Sequence, residues 1–166
     1  MTRTYLIRFC NFVILALVQV LIFSNIHLFG YATAYIYLLF ILKLPRLTSR
    51  NELLMWGFFL GLIVDIFGNT PGINAMAATA VAFTRNSIMS AFITKETADD
   101  FIPSVHNVGV ARYLSYALVS VLQFYILLFI LELFTINYPI PLLISVASSC
   151  LLTMLFIAVA EFFTHK

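Results

Sequence analysis

The sequence predicts an all-α integral membrane protein, a single domain of six transmembrane helices with both termini cytoplasmic. Three observations predict it. First, hydrophobic residues fill 63% of the 166 positions and charged ones only 10%, whereas soluble domains run near half apolar and a quarter charged. A soluble fold of this size cannot hide that surplus, because small domains keep a large share of their surface in water. The mean hydropathy of +1.04 agrees. Second, the apolar residues fall in runs, several of them close to the roughly 20 residues a helix needs to cross about 30 Å of hydrocarbon. Third, the basic residues sort to one side of those runs.

The first span covers approximately residues 9–29 and follows Arg3 and Arg8. Ser24, Asn25, Ile26 and His27 come after the apolar run without a small-x-small cleavage pattern, so it reads as a retained span rather than a signal peptide. The second span, 31–44, is short and stops before Pro45, since a residue preceding proline is biased out of the helical region. Pro45 to Glu52, with Arg46 and Arg50, is a loop. The third span, 53–67, ends in a turn of Gly68, Asn69, Thr70, Pro71 and Gly72, residues that supply fixed and positive φ.

The fourth span, 73–93, carries Thr84, Arg85, Asn86 and Ser87 within it. Either the helix is continuous and Arg85 snorkels to the headgroups, or it stops early and 87–93 lies along the surface as an amphipathic piece. The continuous helix is preferred. Lys95 to Val108 is the longest polar stretch. The fifth span covers 112–134, a turn follows at Asn137, Tyr138, Pro139 and Pro141, and the sixth span covers 142–163.

With the N-terminus inside, all nine Lys and Arg residues lie in or beside cytoplasmic segments: Arg3, Arg8, Lys43, Arg46, Arg50, Arg85, Lys95, Arg112 and Lys166. The outer loops hold none. Cytoplasmic loops are enriched in Lys and Arg, and loops this short obey the rule. The net charge of +2, with no basic stripe interleaved with aromatics, gives no reason to expect nucleic acid.

Few groups are left for chemistry. Cys10 and Cys150 sit in apolar runs as packing residues. The histidines His27, His106 and His165 make no metal-ligand spacing, and no nucleophile motif or phosphate-binding glycine loop occurs. No cofactor, metal or catalytic residue is expected. Gly57, Gly61 and Asp65 are spaced four apart and share one helix face, and small residues at that spacing admit a neighbouring helix closely. Asp65 either ties the outer turn to the start of the fourth helix, accepting from Asn69, Thr70 or that helix N-terminus, or contacts a partner helix or ligand. Arg85 either snorkels or partners a carboxylate or an anionic lipid group. Glu132 reads as a carboxylate at the outer headgroup boundary. Tyr31, Tyr35, Tyr37 and Tyr138 read as an interfacial aromatic belt.

The chain resembles the bacterial rod shape-determining MreD family. The resemblance rests on length, six spans, and above all Gly61-x-x-x-Asp65 followed by Pro71-Gly72 and Ala75 to Ala78. It implies a non-enzymatic scaffold of the cell-wall elongation machinery, binding the bitopic partner MreC and linking cytoplasmic MreB filaments to the wall synthases. It also implies a fold similar to the membrane substrate-binding component of energy-coupling-factor transporters. The aromatic richness and the short second span depart from the family pattern. Two alternatives remain. One is that transporter component itself, for a vitamin or metal, with Asp65, Asn69, Asn74 and Glu132 lining an outer pocket. The other is an aspartyl-type intramembrane hydrolase using Asp65 and Glu132, because such chemistry needs two carboxylates sharing a proton.

Overall fold

The computed structural model describes residues 2–23, 33–93, 101–133 and 139–163; the side chains of 2–4, 23 and 139–141 are outside that description. Its order is α1 (Thr2–Val18, continued by one π-helical stretch, Gln19–Phe23), α2 (Leu38–Leu42), α3 (Arg50–Gly68), α4 (Ile73–Phe92), α5 (Val105–Val108), α6 (Val110–Leu133) and α7 (Pro139–Phe163). No strand occurs among the described residues. Four helices are long and apolar enough to cross a membrane, over Tyr5–Ile22, Arg50–Gly68, Val110–Leu133 and Leu142–Phe163. This is a membrane protein by helix length and composition.

The ends of these helices follow local chemistry. Ser49 caps α3 by accepting from the Glu52 N–H at 3.4 Å, which starts the helix three residues before the expected 53. Its far end is closed by Asn69 in the left-handed region at φ 52°, a conformation asparagine tolerates. Gly72, at φ 79°, leads into α4. The predicted turn at Pro139 and Pro141 is instead the first turn of α7. Proline suits that position, where its missing N–H would have had no helical partner. Asn137, Tyr138 and Phe134 lie outside the described residues, as do 24–29 of the first span, Tyr31, and 94–100 of the polar stretch.

Two expectations meet the structure differently. α4 runs unbroken through Arg85 to Phe92, so the helix does not stop early at 84–87 as the alternative had it. The second span is not a helix over 31–44: residues 33–37 are non-helical and only Leu38–Leu42 forms a turn of helix. Apolarity alone reported burial here, and the segment is indeed buried from Ile36 to Leu42.

The core forms where small residues let helices meet. A Cβ on Gly57 would lie 2.9 Å from Ala82 Cβ, and one on Gly61 would lie 2.5 Å from both Ala75 Cα and Asn74 O. α3 and α4 therefore touch backbone to backbone. α6 packs behind α4 with Tyr113, Tyr116, Ala117, Ser120, Val121 and Phe124 buried, one helical face by spacing. Phe12 joins α1 to this body through Trp56, ring centroids 5.1 Å apart. The outward surfaces carry Leu21, Ile66, Leu151 and Phe163 exposed, as expected for side chains in lipid.

Candidate functional site

Asp65 sits at the last turn of α3, 4% exposed. Its Oδ1 accepts from Thr70 Oγ1 at 2.7 Å, from the Asn74 N–H at 3.0 Å and from Asn74 Nδ2 at 3.1 Å. Its Oδ2 accepts from the Ala75 N–H at 2.8 Å. The carboxylate thus satisfies two of the orphan N–H groups that begin α4 and lies at that helix's positive end. Asn69 contributes through its backbone N–H, which donates to Asp65 O, while Pro71 is exposed beside it. Gly57 and Gly61 spend their face on α4, so that face is filled within the chain.

Arg85 does not snorkel. It is 0% exposed, and its Nη2 donates to the carbonyls of Leu44 and, at 3.3 Å, Leu42. Nη1 donates to Asn86 Oδ1 at 3.1 Å. Among the described residues it meets carbonyls and the Asn86 amide rather than a carboxylate, and closes the end of α2, where a cation is favoured. Tyr116 OH adds a 3.4 Å bond to Leu42 O.

The non-helical segment 33–37 is held by side chains that sequence reasoning passed over. Gln19, fully buried where α1 becomes π-helical, donates Nε2 to Ala34 O at 3.0 Å and accepts from the Ile36 N–H at 2.9 Å. Ser149 Oγ accepts from the Thr33 N–H at 2.9 Å, and Thr153 Oγ1 from the Tyr35 N–H at 3.1 Å. The Tyr125 hydroxyl lies 3.1 Å from Thr33 O and 2.6 Å from Thr153 Oγ1. Irregular backbone in a protein interior persists where side chains satisfy its polar groups. These four side chains do so from α1, α6 and α7. The signal available in sequence was an amide or hydroxyl inside an otherwise apolar run, which is costly in lipid unless partnered.

Tyr37 is 0% exposed and Tyr35 packs on Phe124 with centroids 5.3 Å apart, so neither belongs to an interfacial belt; Tyr31 and Tyr138 are outside the described residues. A second unanticipated cluster joins Glu161, 3% exposed, to Lys43 Nζ at 2.8 Å, with Tyr113 OH donating at 3.0 Å. Glu132 is partly exposed, and no hydrogen bond or ion pair joins it to Asp65 among the described residues. No group of three or more His, Cys, Asp or Glu that could hold a metal lies among the described residues either.

On the outward side of α3 and α4 runs a groove of 840 Å³, walled by Leu54, Phe58 and Leu62 from α3 and by Met76, Ala80 and Phe83 from α4. Its hydroxyls are turned inward: Thr79 donates to Ala75 O at 2.6 Å and Thr84 to Ala80 O at 3.1 Å. At one end the Arg50 guanidinium covers the Phe83 ring, 3.8 Å from its centroid. Comparison with family models, curated proteins and solved structures gives no match.

Proposed function

We propose that this chain is a non-enzymatic scaffold of the bacterial cytoplasmic membrane, crossing it six times with both ends cytoplasmic. In this reading it serves cell-wall elongation and rod shape by binding a single-span partner of the MreC kind, and through it the wall synthases. The observation that carries the reading is the groove on α3 and α4. From Gly72 to Thr84 it follows about 18 Å of helix rise, is apolar, and has its hydroxyls satisfied, which suits the close approach of one more helix. The resemblance at Gly61 to Gly72 supports the partner's identity, and the full engagement of Asp65 argues against a catalytic carboxylate.

The test is site-directed cross-linking. Cysteine at Met76 or Ala80 should form a disulfide with cysteines along one face of the partner's span, and depletion should round rod-shaped cells. Cross-links only from the opposite side of the bundle, or unchanged cell shape, would overturn the reading.

A second reading, the membrane substrate-binding component of a vitamin or metal transporter, draws support from the unwound segment 33–37. Discontinuous helices line substrate sites in transporters. Here, though, Gln19, Ser149, Thr153 and Tyr125 are engaged with that backbone. A vitamin retained through purification would favour this alternative.

A further inference from the structure

A cleft of 490 Å³ opens between the first turns of α1 and the end of α2, with Arg8, Asn11 and Lys43 in its lining beside Phe40, Leu44 and Ile102. We propose that it binds the headgroup of an anionic phospholipid from the leaflet on the basic side of the molecule.

The cations there are positioned but not used up. Arg8 Nη1 meets one oxygen of Glu52 at 3.1 Å, Lys43 Nζ meets one oxygen of Glu161 at 2.8 Å, and the two side chains remain 20% and 25% exposed. A guanidinium has five N–H donors and an ammonium three, so each retains donors for a phosphate. Asn11, one turn along α1 from Arg8, is exposed and has no partner among the described residues. A bare amide on a membrane helix is costly, and a phosphate or glycerol oxygen would satisfy it.

Charge favours an anion. Arg85, bonded to the carbonyl of the cleft residue Leu44, adds a third positive charge to Arg8 and Lys43. Among the described residues, Glu52 and Glu161 supply the negative charges paired with Arg8 and Lys43, and Arg85 has no carboxylate partner. The apolar walls decide between a lipid and a free anion. On α1 they continue along the face of Asn11, where Ile14, three residues on, and Ile22, eleven residues on, are exposed, a track for acyl chains that inorganic phosphate could not use. Basic pockets between membrane helices on the positive side are suited to such headgroups.

The full chain, purified in detergent, would be titrated with short-chain phosphatidylglycerol or phosphatidylcholine and read by native mass spectrometry. Phosphatidylglycerol should bind in preference. Arg8→Gln should weaken it about five-fold, the effect of one cation near the headgroups. Asn11→Leu should weaken it by a smaller factor, and Arg112→Gln, an exposed cation away from the cleft, should leave it unchanged. Ile102→Trp fills the cleft while keeping Arg8, Lys43 and both their carboxylate partners in the sequence, so it should also weaken binding even if Arg8→Gln fails to fold. Equal retention of the two lipids would overturn the proposal. So would an Arg112→Gln effect as large as that of Arg8→Gln, no effect of Ile102→Trp, or displacement by inorganic phosphate as effective as by the lipid.

Discussion

Replacing Asp65 by asparagine keeps the shape of the side chain and removes its charge and one acceptor. The amide oxygen can take the place of Oδ1, facing Thr70 and Asn74, where three donors converge. The amide nitrogen then faces the Ala75 N–H, which loses its acceptor at 2.8 Å. The opposite orientation is worse, since it sets the nitrogen against three donors. Bonds to a charged group contribute about 1.5–3 kcal/mol against about 0.5–1.5 for neutral ones, and a buried unsatisfied donor costs about 1–3. These effects do not add fully, so we expect a loss of about 2–4 kcal/mol, larger than a typical lost N-cap. Asp65 is 4% exposed, so water offers little replacement. Unfolding of the purified protein by SDS titration in mild micelles, together with immunoblots of the membrane fraction, would measure it. A variant with wild-type stability and abundance that nevertheless fails to bind its partner would refute the reasoning and make Asp65 a contact residue.

Other changes should order themselves by what they meet. Gly61→Ala, whose Cβ would strike backbone at 2.5 Å, should destabilise more than Gly57→Ala, which meets Ala82 Cβ at 2.9 Å; overpacking typically costs about 1–3 kcal/mol, and equal midpoints in the same titration would contradict the α3–α4 contact. Gln19→Leu should strand Ala34 O and the Ile36 N–H, cost about 2–4 kcal/mol and speed hydrogen exchange at residues 33–37, which unchanged exchange would disprove. Arg85→Gln should destabilise by about 2–4 kcal/mol through the freed carbonyls of Leu42 and Leu44, whereas a snorkelling arginine would be replaced almost silently. Glu161→Gln should leave Lys43 without its counter-ion at a cost of about 1–3 kcal/mol, below that of a fully buried pair because Lys43 stays partly exposed. Thermal unfolding at low and high salt would detect it.

The residues around Asp65 were the most legible part of the site, because the turn is local. Gly68 to Gly72 announce positive φ, and a carboxylate eight residues before the next helix, at Ile73, has few other donors in reach. Gly57 and Gly61 likewise announced a close helix contact, though not that α4 itself would fill it. Arg85 was legible as an anomaly without its solution: its partners are carbonyls some forty residues away in sequence. Gln19, Tyr125, Thr153 and Glu161 went unremarked because each is a single polar residue in a run whose average stays apolar.

The sequence by itself determined where the chain is apolar, how long most of its helices run, and how basic residues sort relative to them. Those are properties of segments, governed by transfer of side chains out of water and by short-range turn chemistry. Only the tertiary structure decided that the second apolar run would unwind at residues 33–37. An unwound backbone in the interior is stable only if distant side chains satisfy it, and no property of the run itself records whether Gln19, Ser149 and Thr153 will be there.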